Sequence, residues 1–153
     1  MLESVIVIDD ALPMIPSVNI EGINWYDLEE YHPNKVFCLT ILHLAGQYVD
    51  LSDAVGYEFW RHSGTKPSGW HYDKDDVLCV EEDELNFPLC STVYYSEASK
   101  LIGGELLLGN DLVVVPKPNR LVIFPPGKYH TVNPYKGNRT SLLINPWSHP
   151  LCR

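Results

Sequence analysis

Residues 69–76 read GWHYDKDD and set His71 two positions before Asp73. If Trp70 to Asp73 is extended, side chains two apart share a face, so His71 and Asp73 point together and Tyr72 points away. One imidazole and one carboxylate suit a divalent iron. A third ligand from elsewhere would complete a facial triad that leaves coordination positions open to substrates. The pair alone is weak, because chance supplies a histidine-x-aspartate spacing in many chains of this size. On its own it reads as an accident on an acidic surface.

The distant residues change that balance. His130 follows the corner Pro125-Pro126-Gly127, 57 residues after Asp73, and Arg139 stands nine residues further on. Arg139 opens the run RTSLLIN, with Ser141 on its face if the run is a strand. An arginine buried at the end of a barrel needs an anion. Its planar fork matches a carboxylate bidentately, and Ser141 can donate one more hydrogen bond to that carboxylate. The set then has a joint task. His71, Asp73 and His130 hold Fe(II), a 2-oxo acid chelates the iron through its keto and C1 carboxylate oxygens, and its distal carboxylate reaches Arg139. His32, His43, His62 and His149 lack partners at ligand spacing. His62 is the rival, since a hairpin would bring it near His71.

A scaffold must present those side chains, and the bulk composition says which kind. At 153 residues the chain has the size of one domain with a real core. A hydrophobic content of 45% with 11% aromatics excludes a disordered chain. Twelve prolines and ten glycines imply many short elements joined by turns, which favours β architecture over a helical bundle. The net charge of −9, without a Lys/Arg cluster, argues against a nucleic-acid binder. No apolar run approaches the length of a membrane span, and MLESVIVIDD carries acids where a secretory leader carries bases. A cytoplasmic protein with reduced thiols is the expectation. Cys38, Cys79, Cys90 and Cys152 lack the spacing of a structural zinc site.

Along the chain, Ser4–Asp9 reads as a strand, Asn24–Tyr31 as a short helix, and Val36–Val49 as a helix with Leu39, Leu42, Ala45 and Val49 at helical spacing. A short turn follows at Leu51–Val55. Tyr57–His62 and Trp70–Asp73 read as the two strands of a hairpin. Strands are then expected at Cys90–Glu97, Glu105–Leu108, Leu112–Val115, Leu121–Phe124 and Arg139–Asn145. One or two helices before many short strands suggest a mainly β sandwich or jelly roll.

The order HxD, then histidine, then arginine nine residues later resembles the 2-oxoglutarate- and Fe(II)-dependent oxygenases, most of all their prolyl hydroxylase branch. Thr92-Val93-Tyr94-Tyr95, Gly103-Gly104-Glu105-Leu106 and Asn119 to Phe124 are similar to that branch as well, and the resemblance spans roughly Tyr57 to Trp147. It implies a double-stranded β-helix, cupin-like, as a single oxygenase domain over 1–153. The N-terminal strand and helices would run to about residue 55 and the jelly-roll core over 56–147. It implies His71, Asp73 and His130 as iron ligands, Arg139 as the 2-oxoglutarate anchor and Tyr95 as a hydroxyl on the distal carboxylate. Tyr94 is the alternate, one step of register away.

An arginine in place of the lysine of collagen-type prolyl hydroxylases weakens the case for collagen-like substrates. The implied activity uses O2 and converts 2-oxoglutarate to succinate, with ascorbate as a candidate reductant. It would hydroxylate a prolyl residue in a peptide or protein, or alternatively a free amino acid or other small molecule. The competing class is a non-oxygenase metal-binding cupin, which has no need of Arg139. Two features stay open. The acids from Asp75 to Glu84 form either a lid favouring a cationic substrate or a solvated loop. Trp60, Trp70 and Trp147 either line the substrate cavity or pack, and Trp70, next to His71, points to the other face.

Overall fold

Along each strand, neighbouring side chains alternate between two environments, and that alternation separates a helix-covered core from the core that surrounds the site. The computed structural model describes residues 2–62, 69–75, 85–109 and 112–151. Its strands are β1 (Ile6–Ile8), β2 (Asn24–Asp27), β3 (Gly56–His62), β4 (Ser91–Gly103), β5 (Leu106–Leu108), β6 (Leu112–Val114), β7 (Arg120–Phe124), β8 (His130–Val132) and β9 (Tyr135–Trp147). One helix, α1 (Lys35–Ala45), lies among the described residues. Six strands form an antiparallel sheet in the order β1-β7-β4-β9-β3-β2, and three form a second in the order β6-β5-β8.

Tyr57 and Phe59 of β3, Tyr94 of β4, Leu121 and Ile123 of β7, and Leu142 and Ile144 of β9 point from the large sheet toward α1. They bury Phe37, Cys38, Ile41 and Ala45 of that helix. Ile41 is fully buried, which contributes about 2 kcal/mol. Val93, Tyr95, Val122 and Phe124, each one residue out of phase, point the other way and meet Leu106, Leu108 and Val114 of the small sheet. The strand period of two is the reason for the division. No helix among the described residues is long and apolar enough to cross a membrane.

The expected mainly β jelly-roll class is observed, with four local corrections. Asn24–Asp27 is not helical: it pairs with Gly56–Phe59 as the edge strand β2, so its aromatic residues join the sheet. The hairpin between Tyr57–His62 and Trp70–Asp73 does not form: β3 pairs with β2 over Gly56–Phe59 and with β9 along its whole length, and His71 bridges to His130 instead. The helix expected over Val36–Val49 stops at Ala45 before Gly46, although Val49 still packs in the same core. The strand expected over Cys90–Glu97 begins at Ser91 and runs on to Gly103, where φ is +84° and a Cβ would strike the Pro134 carbonyl.

His32 fastens the N-terminal segment to β3. It is buried, stacked on Tyr26 with centroids 3.6 Å apart, and its Nε2 lies 2.6 Å from the Tyr57 hydroxyl. Its Nδ1 accepts from the Asn34 N–H at 3.3 Å, so the neutral ring carries its proton on Nε2. Burial pushes the His32 pKa down, with Glu30 pulling up and Lys35 down. A depressed folded pKa means that the unfolded chain takes the proton first. The contribution of His32 is therefore complete above about pH 6.5, where free histidine titrates, and is lost as the pH falls toward the folded value. The unfolding temperature should fall between pH 7.5 and pH 5, and His32→Phe should shrink that fall. Thermal melts followed by circular dichroism check it.

Candidate metal centre

His71 and His130 are brought together by backbone. The His71 N–H donates to the His130 carbonyl at 2.9 Å, and the His130 N–H donates back at 3.0 Å. Residues directly opposite in such a bridge share a face, and the two rings stand 4.3 Å apart. Asp73, two residues on from His71, joins them. His71 Nε2 lies 3.6 Å and His130 Nε2 lies 3.4 Å from Asp73 Oδ1. The three atoms offered lie within 4.8 Å of one another, close enough to hold one metal ion.

The second nitrogen of each ring fixes its orientation. His71 Nδ1 donates to the Gly69 carbonyl at 2.9 Å and His130 Nδ1 to the Lys128 carbonyl at 2.8 Å. A carbonyl only accepts, so each Nδ1 keeps its proton and each Nε2 is left to a cation. Asp73 is held in the same way, since its Oδ2 accepts from Ser91 Oγ at 2.6 Å and from Asn145 Nδ2 at 3.0 Å. Burial by itself would raise the Asp73 pKa. Hydrogen bonds from His130 and His71, the His130 charge and Ser91 outweigh it and hold the carboxyl well below the usual carboxylate range. Asp73 in turn raises the His71 pKa against the effect of burial. A divalent cation would take the place of the protons shared here. Removing Ser91 Oγ with Ser91→Ala should weaken divalent-metal binding about 10–100-fold, the usual weight of a partner to a ligand. Titration calorimetry with Co(II) checks it.

Arg139 on β9 is 4% exposed. Its Nη1 donates to His62 Nδ1 at 3.2 Å and to Ser141 Oγ at 3.3 Å, while Ser141 Oγ donates to the His62 carbonyl at 3.2 Å. The guanidinium lies 5.3 Å from the ring centroids of both Tyr95 and Tyr135. Gly104 makes room for its stem: φ is +80°, and a Cβ there would come within 3.1 Å of Arg139 Cδ. Among the described residues, two buried side-chain polar atoms have no hydrogen-bond partner, Arg139 Nε and the Tyr95 hydroxyl. Burial pushes the Tyr95 phenol up although Arg139 pulls it down, so the hydroxyl keeps its proton. No carboxylate among the described residues pairs with Arg139. An unpaired buried guanidinium beside an idle hydroxyl fits an anionic ligand group.

One cavity of about 100 Å³ touches both sets of residues, lined by His71, His130, Arg139, Ser141 and His62 with apolar walls of Val93, Leu106, Val132 and Leu143. A second, of about 250 Å³, lies against His71 and Asp73 and is edged by Ile23, Glu58, Tyr72 and Lys74. Trp60 borders both.

Tyr95 faces the core shared with the small sheet, beside Arg139, whereas Tyr94 faces α1 and donates its hydroxyl to Asn119 Oδ1 at 2.7 Å. Trp147 is buried with its indole N–H on Glu58, and Trp70 is half-exposed and stacked on Tyr129. His62 is not part of the metal group and pairs with Arg139 instead. Apart from Asp75, the acidic segment lies outside the described residues. Ser91 and Asn145 were not among the sequence candidates. Asn145 had a legible signal, since it continues the face of Arg139 and Ser141 at a spacing of two.

The sequence profile described as the 2OG-Fe(II) oxygenase superfamily matches residues 57–149. No curated protein matches the chain. Among solved structures, it is similar to a prolyl-4-hydroxylase of Pseudomonas putida (TM-score 0.56, 20% identity, 82% of this chain and 67% of that one). It is also similar to the viral collagen prolyl hydroxylase of Paramecium bursaria Chlorella virus-1 in its 2OG complex (TM-score 0.55, 17% identity, 95% of each chain). A third is an oxidoreductase of the 2OG-Fe(II) oxygenase family from Burkholderia pseudomallei (TM-score 0.55, 18% identity, 79% of this chain), of whose length the chain spans 59%.

Proposed function

The chain belongs to the 2OG-Fe(II) oxygenase superfamily, and from that premise we propose that it is an Fe(II)- and 2-oxoglutarate-dependent dioxygenase that hydroxylates a prolyl residue in a peptide or protein. The observation that carries this is Arg139: buried, without a carboxylate partner among the described residues, and lining the same cavity as His71 and His130. A metal-binding cupin of another kind has no use for that arrangement.

When bound, the iron and 2-oxoglutarate supply oxidative chemistry, in which decarboxylation to succinate and uptake of O2 are coupled to hydroxylation of a C–H bond. The protein supplies the rest. His71 and His130 would hold the metal through Nε2 and Asp73 through Oδ1, and the two histidines also line the cavity that would take the co-substrate. Arg139 Nε and the Tyr95 hydroxyl are the donors for the distal carboxylate. Ser141 acts through Arg139, because its own proton goes to the His62 carbonyl. Val93, Leu106, Val132 and Leu143 keep water from the carbon chain. The second cavity, beside His71 and Asp73, is where the primary substrate enters.

A prolyl substrate is supported by the similarity to two proteins described as prolyl hydroxylases. A second reading, a free amino acid, is favoured by the size of the second cavity and by its edging with a carboxylate, Glu58, and an ammonium, Lys74. The test is oxygen-dependent conversion of 2-oxoglutarate to succinate by protein purified anaerobically with Fe(II). Proline-containing peptides and free amino acids are supplied in parallel. If the Fe(II) form neither binds 2-oxoglutarate nor turns it over with any of them, the proposal fails.

A further inference from the structure

A long side chain loses rotamer freedom when it is held in one geometry, so a buried guanidinium that faces one way is held there by partners. Arg139 has two, and both act on the same nitrogen. Nη1 donates to His62 Nδ1 and to Ser141 Oγ. With Nη1 engaged, the Nε edge is the one left over, and Nε is the atom without a partner. The sheet builds this deliberately close. His62 on β3 stands directly opposite Ser141 on β9, and Ser141 stands directly opposite Tyr95 on β4. The row His62, Ser141, Tyr95 therefore crosses three strands on one face, with Arg139 two residues along β9. Ser141 binds the row together, because its hydroxyl donates to the His62 carbonyl while accepting from Arg139.

We infer that His62 is a positioning residue for the co-substrate: by accepting from Nη1, its Nδ1 turns the Nε edge of Arg139 toward the distal carboxylate of the bound 2-oxo acid. The inference rests on the function proposed above and assigns a new task within it. His62 is not a metal ligand, since it lies outside the group formed by His71, Asp73 and His130. An arginine has no acceptor and only donates, so Nδ1 must accept and the ring must be neutral in this contact. Burial, with Arg139 and His71 nearby, lowers the His62 pKa in the same sense.

The test compares His62→Leu with His62→Asn. Leucine fills similar space without an acceptor, whereas the asparagine carbonyl oxygen occupies nearly the position of Nδ1. The affinity of 2-oxoglutarate for the Mn(II) form is read by titration calorimetry, Mn(II) affinity is read separately, and thermal melts show that each variant is folded. In His62→Leu the 2-oxoglutarate Kd should rise about tenfold, the weight of one hydrogen bond to a charged group, with Mn(II) affinity unchanged. His62→Asn should restore most of the loss. With turnover assayed, KM for 2-oxoglutarate should move while kcat at saturation stays. Unchanged 2-oxoglutarate binding in His62→Leu overturns the inference. So do equal losses in both variants, which would mean packing alone, and a fall in Mn(II) affinity, which would place His62 at the metal. Arg139→Ala is the control. If it too leaves 2-oxoglutarate binding intact, the failure belongs to the proposed function and not to His62.

Discussion

Asp73→Asn should remove divalent-metal binding by at least about a thousandfold, beyond the 10–100-fold carried by partners of metal ligands, and abolish turnover with it. The change is nearly isosteric, and its severity comes from two fixed donors. Ser91 Oγ and Asn145 Nδ2 both donate to Oδ2 of Asp73. In the variant those donors demand an oxygen at that position, so the amide carbonyl turns to them and the NH2 takes the place of Oδ1. That NH2 then faces His71 Nε2 and His130 Nε2, and it presents hydrogens where the metal needs a lone pair. The fold should survive, because Ser91 and Asn145 keep their acceptor. Calorimetry with Co(II) reads the affinity and circular dichroism reads the fold. Retention of metal within tenfold of the unaltered protein would remove Asp73 from the ligand set.

The spacing rules made the site legible where both partners sit on regular strand. Arg139 and Ser141 share a face of β9 as a period of two requires, whereas the strand expected over Trp70–Asp73 reduces to the single bridge of His71 to His130, with Asp73 still brought to the same group. Pairing partners were less accessible. Tyr57–His62 followed by turn formers and Trp70–Asp73 had the look of a local hairpin, yet β3 pairs along its length with β9 and His71 bridges to His130. Local sequence does not show that Tyr135–Trp147 will reach across the chain to pair with β3. Asn24–Asp27 went astray for the same reason, since its strand conformation comes from pairing with Gly56–Phe59 and not from its own pattern.

Register had a similar limit. Tyr94 and Tyr95 are adjacent, and only the pairing with Leu142 and Ser141 tells which of them looks toward Arg139, with the ladder shifting just beyond, between Tyr95 and Glu97. The residues that tune the site were hidden most of all. Ser91 opens a strand far from any ligand in sequence, and its importance lies in a single oxygen placed 2.6 Å from Asp73. His62 looked like a rival ligand because a hairpin would have brought it near His71; that hairpin does not form, and the bond of His62 to Arg139 depends on two strands meeting in one register.

Arg139→Ala should cost the protein its hold on 2-oxoglutarate while leaving the metal in place. The side chain is 4% exposed and lies between the Tyr95 and Tyr135 rings, so the anion it meets is shielded from water. Removing one partner of a buried, hydrogen-bonded charge pair costs about 2–5 kcal/mol, roughly 30-fold to several thousandfold in affinity. Arg139 is also bound to His62 and Ser141 and packed on Gly104, none of which holds the metal. Metal affinity should therefore stay within about threefold. Arg139→Lys keeps the charge but loses the planar fork and the Nη1 bond to His62, and should fall between the two. Tyr95→Phe removes the other idle donor and should weaken co-substrate binding about tenfold, since a neutral hydroxyl bonded to a charged carboxylate carries roughly 1.5 kcal/mol. Binding of 2-oxoglutarate to the Mn(II) form of each variant, with Mn(II) affinity measured alongside, separates the two sites. A loss of metal in Arg139→Ala would show that the guanidinium braces the ligand strands, and its assignment to the co-substrate would then fall.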